Sequence, residues 1–180
     1  TVAASAARGP LTLGTPDDEF EHERGLITKS EVRSVALAKL RLSPGLVLWD
    51  LGAGSGSVAI EASLLLGSGR VVAVEKDPRR IEQIKANARR FGVRRLKVVQ
   101  AVLPDALKGL PRPDRIFIGG GGRDLASIVS EAARHLKPNG IVVVNAVLLQ
   151  NVHAAEAALR RLGFAAETVQ VQILRSAPMP

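Results

Sequence analysis

A glycine-rich segment between two apolar runs is the feature of this sequence with the clearest potential for chemistry. Residues 50–56 read D-L-G-A-G-S-G, and Glu75 ends the next apolar run, 19 residues beyond Gly56. Glycines let a backbone approach a ligand closely, and an acidic side chain at the end of a second strand can bind both hydroxyls of a ribose. The G-x-G-x-G spacing departs from the fingerprint of sites that hold a pyrophosphate. We therefore predict a site for a ribose-containing ligand without a pyrophosphate; the alternative is a tight turn beside a surface glutamate.

The elements that must position this segment follow from the order of apolar runs and helical patterns. We predict strands at residues 46–51, 70–75, 97–101, 115–118, 141–146 and 167–174, and helices at residues 29–41, 57–66, 77–91, 104–108, 124–136 and 151–162. The strands are near-continuous runs of Val, Ile and Leu, as expected when both faces of a sheet are covered. Their alternation with helices predicts an α/β fold with a doubly wound, mostly parallel sheet. A ligand of such a sheet binds at the carboxyl ends of its strands.

Local signals mark the domain start and two helix starts. Residues 1–15 are expected to be a linker or a disordered terminus, followed by a single domain at residues 16–180. Thr28 and Glu31 have the spacing of a capping box, so Thr28 is predicted to be the N-cap of the first helix. Asp77 is predicted to cap another helix, because Pro78 follows it at the first helical position.

Composition excludes several classes of site. The chain has no cysteine, which excludes disulfides, thiolate metal sites and a cysteine nucleophile. Its three histidines are far apart in the sequence, so no metal site is expected. We find neither a membrane-spanning run nor a signal peptide, and we expect a cytoplasmic protein.

The chain is strongly basic, with 25 basic and 17 acidic residues and a net charge of +8. Such a surface attracts polyanions, either nucleic acid or a small substrate with many carboxylates. Aromatic residues, on which unpaired bases stack, are scarce, and this weakens the nucleic-acid interpretation. Nine of the basic residues lie within residues 76–97, which we interpret as a solvated helix face.

The segments D-L-G-A-G-S-G-S and V-E-K-D resemble motifs I and II of class I S-adenosylmethionine-dependent methyltransferases. The resemblance implies a Rossmann-like fold with S-adenosylmethionine as cofactor and Glu75 on its ribose. It also implies that Ala101 and Val102 flank the adenine, with Asp105 as an alternative contact. The implied lining of the methionine part is Gly52, Ala53, Gly54, Ser55 and Gly56. This fold usually ends with an antiparallel strand, which we expect to be missing from this chain.

A further set of segments resembles the precorrin carbon-15 methyltransferases of cobalamin synthesis. The set comprises P-D-D-E-F at residues 16–20, L-I-T-K-S-E-V-R at 26–33, W-D-L-G-A-G-S-G-S-V-A-I-E at 49–61, D-R-I-F-I-G-G at 114–120 and N-A-V at 145–147. The resemblance implies methylation of a tetrapyrrole at carbon-15 and decarboxylation of its ring C acetate. It also implies a tetramer, no nucleic-acid or membrane partner, and fusion to or partnership with a carbon-5 methyltransferase.

Several residues receive roles under this resemblance. It places Thr28 near the cofactor and the glycines 119–122 beside the transferred methyl group. Successive backbone N–H groups of Gly119, Gly120 and Gly121 can form a nest for a substrate carboxylate, unless the segment is only a connecting loop. Arg123 can bind a carboxylate as a fork or be a solvated surface residue. Asn145 is a further substrate contact. No catalytic residue is assigned, and the candidates for assisting proton transfer are Glu19, His22 and Asn145.

Three different functions also remain open at this stage. An RNA methyltransferase fits the high charge, but residues 118–121 read I-G-G-G where an adenine-N6 enzyme has an Asn/Asp-Pro-Pro motif, and a cytosine-carbon-5 enzyme needs a cysteine. Methylation of a base oxygen or a ribose is compatible with the sequence. The second function is that of a non-catalytic cofactor-binding subunit, and the third is that of a small-molecule O-methyltransferase.

Overall fold

The computed structural model describes residues 10–23 and 25–176, which contain one five-stranded parallel sheet in the order β3-β2-β1-β4-β5. The strands are β1 (Val47–Leu51), β2 (Arg70–Glu75), β3 (Leu96–Gln100), β4 (Arg115–Ile118) and β5 (Ile141–Val144). The helices are α1 (Ser30–Leu40), α2 (Ser57–Leu66), α3 (Pro78–Arg90), α4 (Leu125–His135) and α5 (Leu149–Arg161). Short 3-10 turns lie at Asp17–Glu19, Asp105–Leu107 and Gly122–Asp124. The predicted α/β fold with a parallel sheet is confirmed.

The sheet is covered on both faces because successive strand residues point to opposite sides. Leu48 and Phe117 belong to the apolar cluster that contains residues of α1 and α2. Trp49 and Ile116 belong to the cluster that contains residues of α4 and α5. The strand order reverses between β1 and β4, so a crevice opens at their carboxyl ends, where ligands of open α/β sheets bind.

The start of α1 differs from the prediction. Lys29 is the N-cap of this helix, and its side chain makes no hydrogen bond to the backbone of the first helical turn. The backbone N–H of Ser30 donates instead to the carboxylate of Asp17, at 3.0 Å. The predicted capping box at Thr28 is therefore wrong, because the carboxylate of Asp17, 13 residues before Ser30, accepts this N–H group. The predicted cap by Asp77 is confirmed: its carboxylate accepts the backbone N–H of Arg79 at 2.9 Å.

The predicted strand at residues 167–174 is wrong. This segment forms no strand, and within the described residues β5 pairs only with β4. The C-terminal segment, residues 164–176, instead contacts side chains of α1. The Glu167 carboxylate accepts a hydrogen bond from the Lys39 ammonium at 3.0 Å, and the Arg175 guanidinium donates to the Glu31 carboxylate at 2.6 Å. The alternating apolar side chains suit a strand, but a strand also needs a neighbouring strand for its backbone hydrogen bonds.

Other boundaries differ in small ways. The predicted helix at residues 104–108 is a 3-10 turn, and the predicted helix at 124–136 begins as α4 after a separate turn. Residues 1–9 lie outside the described residues, so the predicted linker is described only at residues 10–15. There Thr15 is buried, and the backbone N–H of Gly14 donates to Glu61. In the described part of the chain, every helix is too short or too polar to cross a lipid bilayer.

Candidate cofactor and substrate cleft

The crevice at the carboxyl ends of the strands is a cleft of about 1970 Å³. It is bounded by the loops that follow β1, β2, β3, β4 and β5 and by the segment before α1. The cleft continues as a groove between α1, β5 and the C-terminal segment. Thirteen of the fourteen predicted site residues line it: Thr28, Gly52, Ala53, Gly54, Ser55, Glu75, Ala101, Val102, Gly119, Gly120, Gly121, Arg123 and Asn145. The fourteenth, Gly56, does not line it.

Glu75 ends β2 and is the buried carboxylate of the cleft wall. One of its oxygens accepts the backbone N–H of Gly54 at 3.0 Å, and the other accepts the N–H groups of Lys76 and Asp77 at 2.8 and 3.0 Å. A carboxylate has about four acceptor sites, so these bonds orient the group and leave limited capacity for a ligand. Binding two ribose hydroxyls therefore requires Glu75 to share or exchange its bond with Gly54.

The three glycines of the loop after β1 serve different purposes. All three have positive φ, at 74° for Gly52, 58° for Gly54 and 77° for Gly56. A Cβ on Gly52 would lie 3.2 Å from the backbone nitrogen of Gly120, and one on Gly56 would lie 3.0 Å from the side chain of Ile84. A Cβ on Gly54 would meet no atom within 4 Å. Packing thus requires Gly52 and Gly56, while Gly54 leaves space open beside Glu75.

Asp50, in the second half of β1, received no role from the sequence pattern. It is buried, and one of its carboxylate oxygens accepts the backbone N–H of Ala59 at 3.0 Å. The other oxygen has no hydrogen-bond partner within the described residues. Burial raises the pKa of Asp50 to about 7, and the negative charge of Glu75 adds to this increase. Only the fold could reveal this group, because its environment comes from α2 and β2 as well as β1.

The loop after β4 brings donors to the opposite wall of the cleft. The Gly119 N–H already donates to the Leu51 carbonyl at 3.1 Å, so it is not available to a ligand. Within the described residues, the N–H groups of Gly120 and Gly121 make no protein hydrogen bond. The exposed side chain of Arg123 likewise has no partner there. The predicted nest is thus reduced to two N–H groups next to one unpaired guanidinium.

The remaining candidate residues fall into two groups, those that line the cleft and those that do not. Ala101 follows β3, and Val102 exposes 66% of its surface at the cleft wall. Three further candidates lie outside the cleft lining: Asp105, Glu19 and His22. Glu19 forms an ion pair with Arg90, and His22 accepts the backbone N–H of Gly25 at 3.2 Å. Asn145 therefore remains as the proton-transfer candidate that lines the cleft.

The cleft fits S-adenosylmethionine in three respects. A buried carboxylate faces it where a ribose would bind, the open side of Gly54 admits a chain beside that carboxylate, and apolar walls flank the position of a base. Held there, the group would contact Glu75 through its ribose and Ala101 and Val102 through its adenine.

Comparison with known proteins gives consistent matches. A family model described as the precorrin methyltransferase domain matches residues 18–179. A Pyrobaculum calidifontis protein named probable cobalt-precorrin-6B C(15)-methyltransferase (decarboxylating) is 45% identical over 167 residues, which cover 91% of this chain and 85% of the relative. A Sinorhizobium protein named precorrin-6Y C(5,15)-methyltransferase [decarboxylating] is 41% identical over 176 residues, covering 94% of this chain but 40% of the longer relative.

A solved structure gives the same match in three dimensions. The crystal structure of precorrin-6y C5,15-methyltransferase from Geobacter metallireducens superposes with a TM-score of 0.86 at 45% identity. The match covers 88% of this chain and 85% of that one. Sequence and fold thus lead to the same group of proteins.

Proposed function

Because this chain belongs to the family of the precorrin methyltransferase domain, we propose that it transfers a methyl group from S-adenosylmethionine to carbon-15 of a precorrin and decarboxylates the ring C acetate. The observation that carries the proposal is the pairing of Glu75 with the open side of Gly54, at the carboxyl ends of β1 and β2. That pairing offers a ribose acceptor and a passage for the methionine part in one place.

The protein's contribution to methyl transfer is position. The bound cofactor supplies an activated methyl group on a sulfonium. Glu75 would hold the ribose and the loop after β1 would hold the methionine part, while the loop after β4 forms the opposite wall of the cleft. Gly52 and Gly120 are in close backbone contact, which keeps these two loops adjacent. Alignment of two bound reactants lowers the barrier without a nucleophilic side chain.

The substrate is held through its carboxylates. The N–H groups of Gly120 and Gly121 can each donate to a carboxylate, and Arg123 can bind one as a fork. Asn145 lies on the adjacent wall and can donate or accept a hydrogen bond. For decarboxylation, the bond from the acetate methylene to the carboxyl carbon breaks, and its electron pair enters the conjugated macrocycle. A proton then replaces the lost carbon dioxide on that carbon.

Mass spectrometry after anaerobic incubation tests the proposal directly. The reaction contains the protein, S-adenosylmethionine and a precorrin that is already methylated at carbon-5. We expect the tetrapyrrole to gain one methyl group and lose one carbon dioxide. Methyl gain without loss of carbon dioxide would contradict the decarboxylase half of the proposal. A parallel reaction with bulk RNA and labelled cofactor should stay unlabelled, and label on RNA alone would overturn the proposal in favour of an RNA methyltransferase.

The assembly and setting of the enzyme form a separate part of the proposal. We expect a cytoplasmic homotetramer that works with a carbon-5 precorrin methyltransferase, either as a separate protein or as part of one chain. The Sinorhizobium relative supports the second arrangement, because this chain matches only 40% of its length. Light scattering after size-exclusion chromatography should give a mass near four times that of the chain, and a monomeric mass would contradict the tetramer.

A further inference from the structure

The segment that precedes α1 forms one wall of the cleft although it belongs to no strand or long helix. We call residues 10–23 and 25–29 the amino-terminal arm. Gly25, Leu26, Ile27, Thr28 and Lys29 of this arm line the cleft. Leu26 exposes 57% of its surface, so its side chain does little to hold this wall in place. Its position must therefore come from contacts on either side of residues 25–27.

One of these contacts is the side chain of Asn87, which lies in α3 and is completely buried. Its amide oxygen accepts the backbone N–H of Glu21 at 2.7 Å, and its amide nitrogen donates to the Glu21 carbonyl at 2.9 Å. The same nitrogen donates to the Ser55 carbonyl at 3.0 Å. Asn87 thus binds the arm and the loop after β1 at once, and both amide hydrogens are used.

The second contact is Arg33 of α1, which is also completely buried. Its guanidinium donates to the backbone carbonyls of Thr28 and Thr15 and forms an ion pair with the buried Glu61 at 2.7 Å. The ring of Phe20 lies 5.0 Å from the guanidinium carbon and packs against Phe91. These contacts hold the far end of the cleft wall, so that Asn87 and Arg33 anchor the arm on the two sides of residues 25–27.

The two anchors differ in what they connect. Arg33 ties the arm to α1 and, through Glu61, to α2, which begins directly after the loop that follows β1. Asn87 ties it directly to Ser55, between Gly54 and Gly56. Within the described residues, Asn87 is therefore the side chain that hydrogen-bonds directly to both the arm and the glycine loop.

We propose that Asn87 is a positioning residue for cofactor binding, because it sets the spacing between the amino-terminal arm and the glycine loop across the cleft. The proposal rests on the proposed function in so far as that function places S-adenosylmethionine in this cleft. Loss of the amide frees the arm and the loop to move apart, although the residues that would contact the cofactor are all retained.

Isothermal titration with S-adenosylhomocysteine, the reaction product, tests the role of Asn87 without requiring the precorrin. We expect Asn87→Ala to raise the dissociation constant about tenfold, the effect of losing one typical interaction in the bound state. The matched control is Gln83→Ala, which removes a half-buried amide one turn earlier on α3 that makes no hydrogen bond within the described residues. The control should bind as the wild type does. All measurements are made well below the melting temperature of each variant.

Two further readouts separate positioning from simple stability. Amide hydrogen exchange in Asn87→Ala should become faster in both the arm and residues 53–56, and not in β4 or α4. In the methyl-transfer assay, KM for the cofactor should rise while kcat at saturating cofactor is retained. A lower melting temperature with an unchanged dissociation constant would overturn the proposal.

A second variant covers the case in which Asn87→Ala does not fold. Asn87→Asp keeps an acceptor for the Glu21 N–H but loses both donated bonds, and the same criteria apply to it. Wild-type protein that does not bind S-adenosylhomocysteine would overturn the proposed function together with this inference. Wild-type binding that survives in both Asn87 variants would overturn this inference alone.

Discussion

Under the proposed function, Glu75 has two tasks: its carboxylate accepts backbone N–H groups and also accepts the hydroxyls of the ribose. Its three bonds from backbone N–H groups shape the turn after β2 and the loop after β1. Glu75→Gln replaces one acceptor oxygen with a donor, and it removes the charge that ribose hydroxyls would face. Hydrogen bonds to charged groups contribute about 1.5–3 kcal/mol, so we expect the dissociation constant of S-adenosylhomocysteine to rise about 10- to 100-fold. Isothermal titration measures this change.

The control for Glu75 lies on the helix that follows β2. Glu82 is an exposed carboxylate of α3 that pairs with Lys85 at 2.8 Å and does not line the cleft. Glu82→Gln should leave the dissociation constant unchanged. Equal affinity in Glu75→Gln and the wild type would remove Glu75 from the proposed ribose site.

Asp50 makes the stability of the protein depend on pH. An aspartate in an unfolded chain has a pKa near 3.9, whereas burial raises the pKa of Asp50 to about 7. Between these values the folded protein retains a proton that the unfolded chain releases, so the free energy of unfolding falls as the pH rises. Asp50 should thus lower this free energy by up to about 4 kcal/mol between about pH 4 and pH 7.

Urea unfolding at intervals across this pH range measures the effect of Asp50. Asp50→Asn keeps an acceptor for the Ala59 N–H but does not titrate, so its free energy of unfolding should fall less steeply. The difference between the two profiles isolates the contribution of Asp50 from that of other carboxylates. Parallel profiles for wild type and variant would show that folding does not raise the pKa of Asp50.

The sequence pattern identified some residues of the cleft and missed others. The position of Glu75 and Gly54 at the cleft could be predicted because it follows from local spacing after two strands. Asn87 and the buried state of Asp50 could not, because their hydrogen-bond partners come from elements that are distant in sequence. The Gly119 N–H was expected to face a ligand, but it completes a bond to β1 that only the paired sheet provides.

At the scale of elements, the start of α1 shows that a carboxylate distant in the sequence, and not the adjacent Thr28, caps the helix. Asp17 accepts the Ser30 N–H and also pairs with Lys29 and Arg33, at 3.4 Å in each case. Loss of a helix cap costs about 1–2 kcal/mol, and we expect at least this decrease in the free energy of unfolding for Asp17→Ala. Thr28→Ala should lower it by less than about 0.5 kcal/mol, in the range of surface substitutions. Chemical denaturation of both variants distinguishes the two caps, and a larger loss in Thr28→Ala would restore the capping box.

The contact between the loops after β1 and β4 gives a second prediction at this scale. Gly52 has a φ of 74°, and a Cβ there would lie 3.2 Å from a backbone nitrogen. Gly120 lies on the other side of the same contact, but its own Cβ would be no closer than 3.9 Å to any neighbour. We expect Gly52→Ala to lower the free energy of unfolding by about 1–3 kcal/mol and Gly120→Ala by less than about 1 kcal/mol. Urea unfolding measures both, and equal losses would contradict this asymmetry.

Prediction of strands and helices succeeded where a local sequence pattern marks the element. It failed where the element depends on hydrogen bonding to another strand. All five strands and the five main helices lie within a few residues of their predicted positions, because runs of apolar residues and glycine stops mark them. Residues 167–174 have the alternation of a strand, yet within the described residues they pair with no strand, and the edge of β5 away from β4 stays unpaired. Alternation determines which side chains face a sheet, but it does not supply a hydrogen-bonding neighbour.

At the scale of the whole molecule, the cleft and the charge suit the same substrate. A volume of about 1970 Å³ exceeds the roughly 300–1,000 Å³ of an ordinary small-molecule pocket. Part of it is the groove beside β5, and the proposed function requires the remainder to hold a cofactor and a macrocycle together. The net charge of +8 favours approach of a polycarboxylate. Long-range attraction depends on the total charge of the protein, whereas a specific contact depends on a charge at one position in the cleft. The two effects can therefore be measured separately.

Charge reversal at two arginines tests whether carboxylates bind at the loop after β4 or only in the general field of the protein. Arg123 lines the cleft, whereas Arg94 follows α3 outside it; both are exposed and have no ion-pair partner within the described residues. Each substitution to Glu changes the net charge equally. Titration with a porphyrin that carries eight carboxylates should show binding about tenfold weaker in Arg123→Glu and less than about twofold weaker in Arg94→Glu at about 0.15 M salt, where exposed charges more than about 8 Å apart are screened. Equal weakening would mean that net charge, rather than the cleft, recruits the substrate.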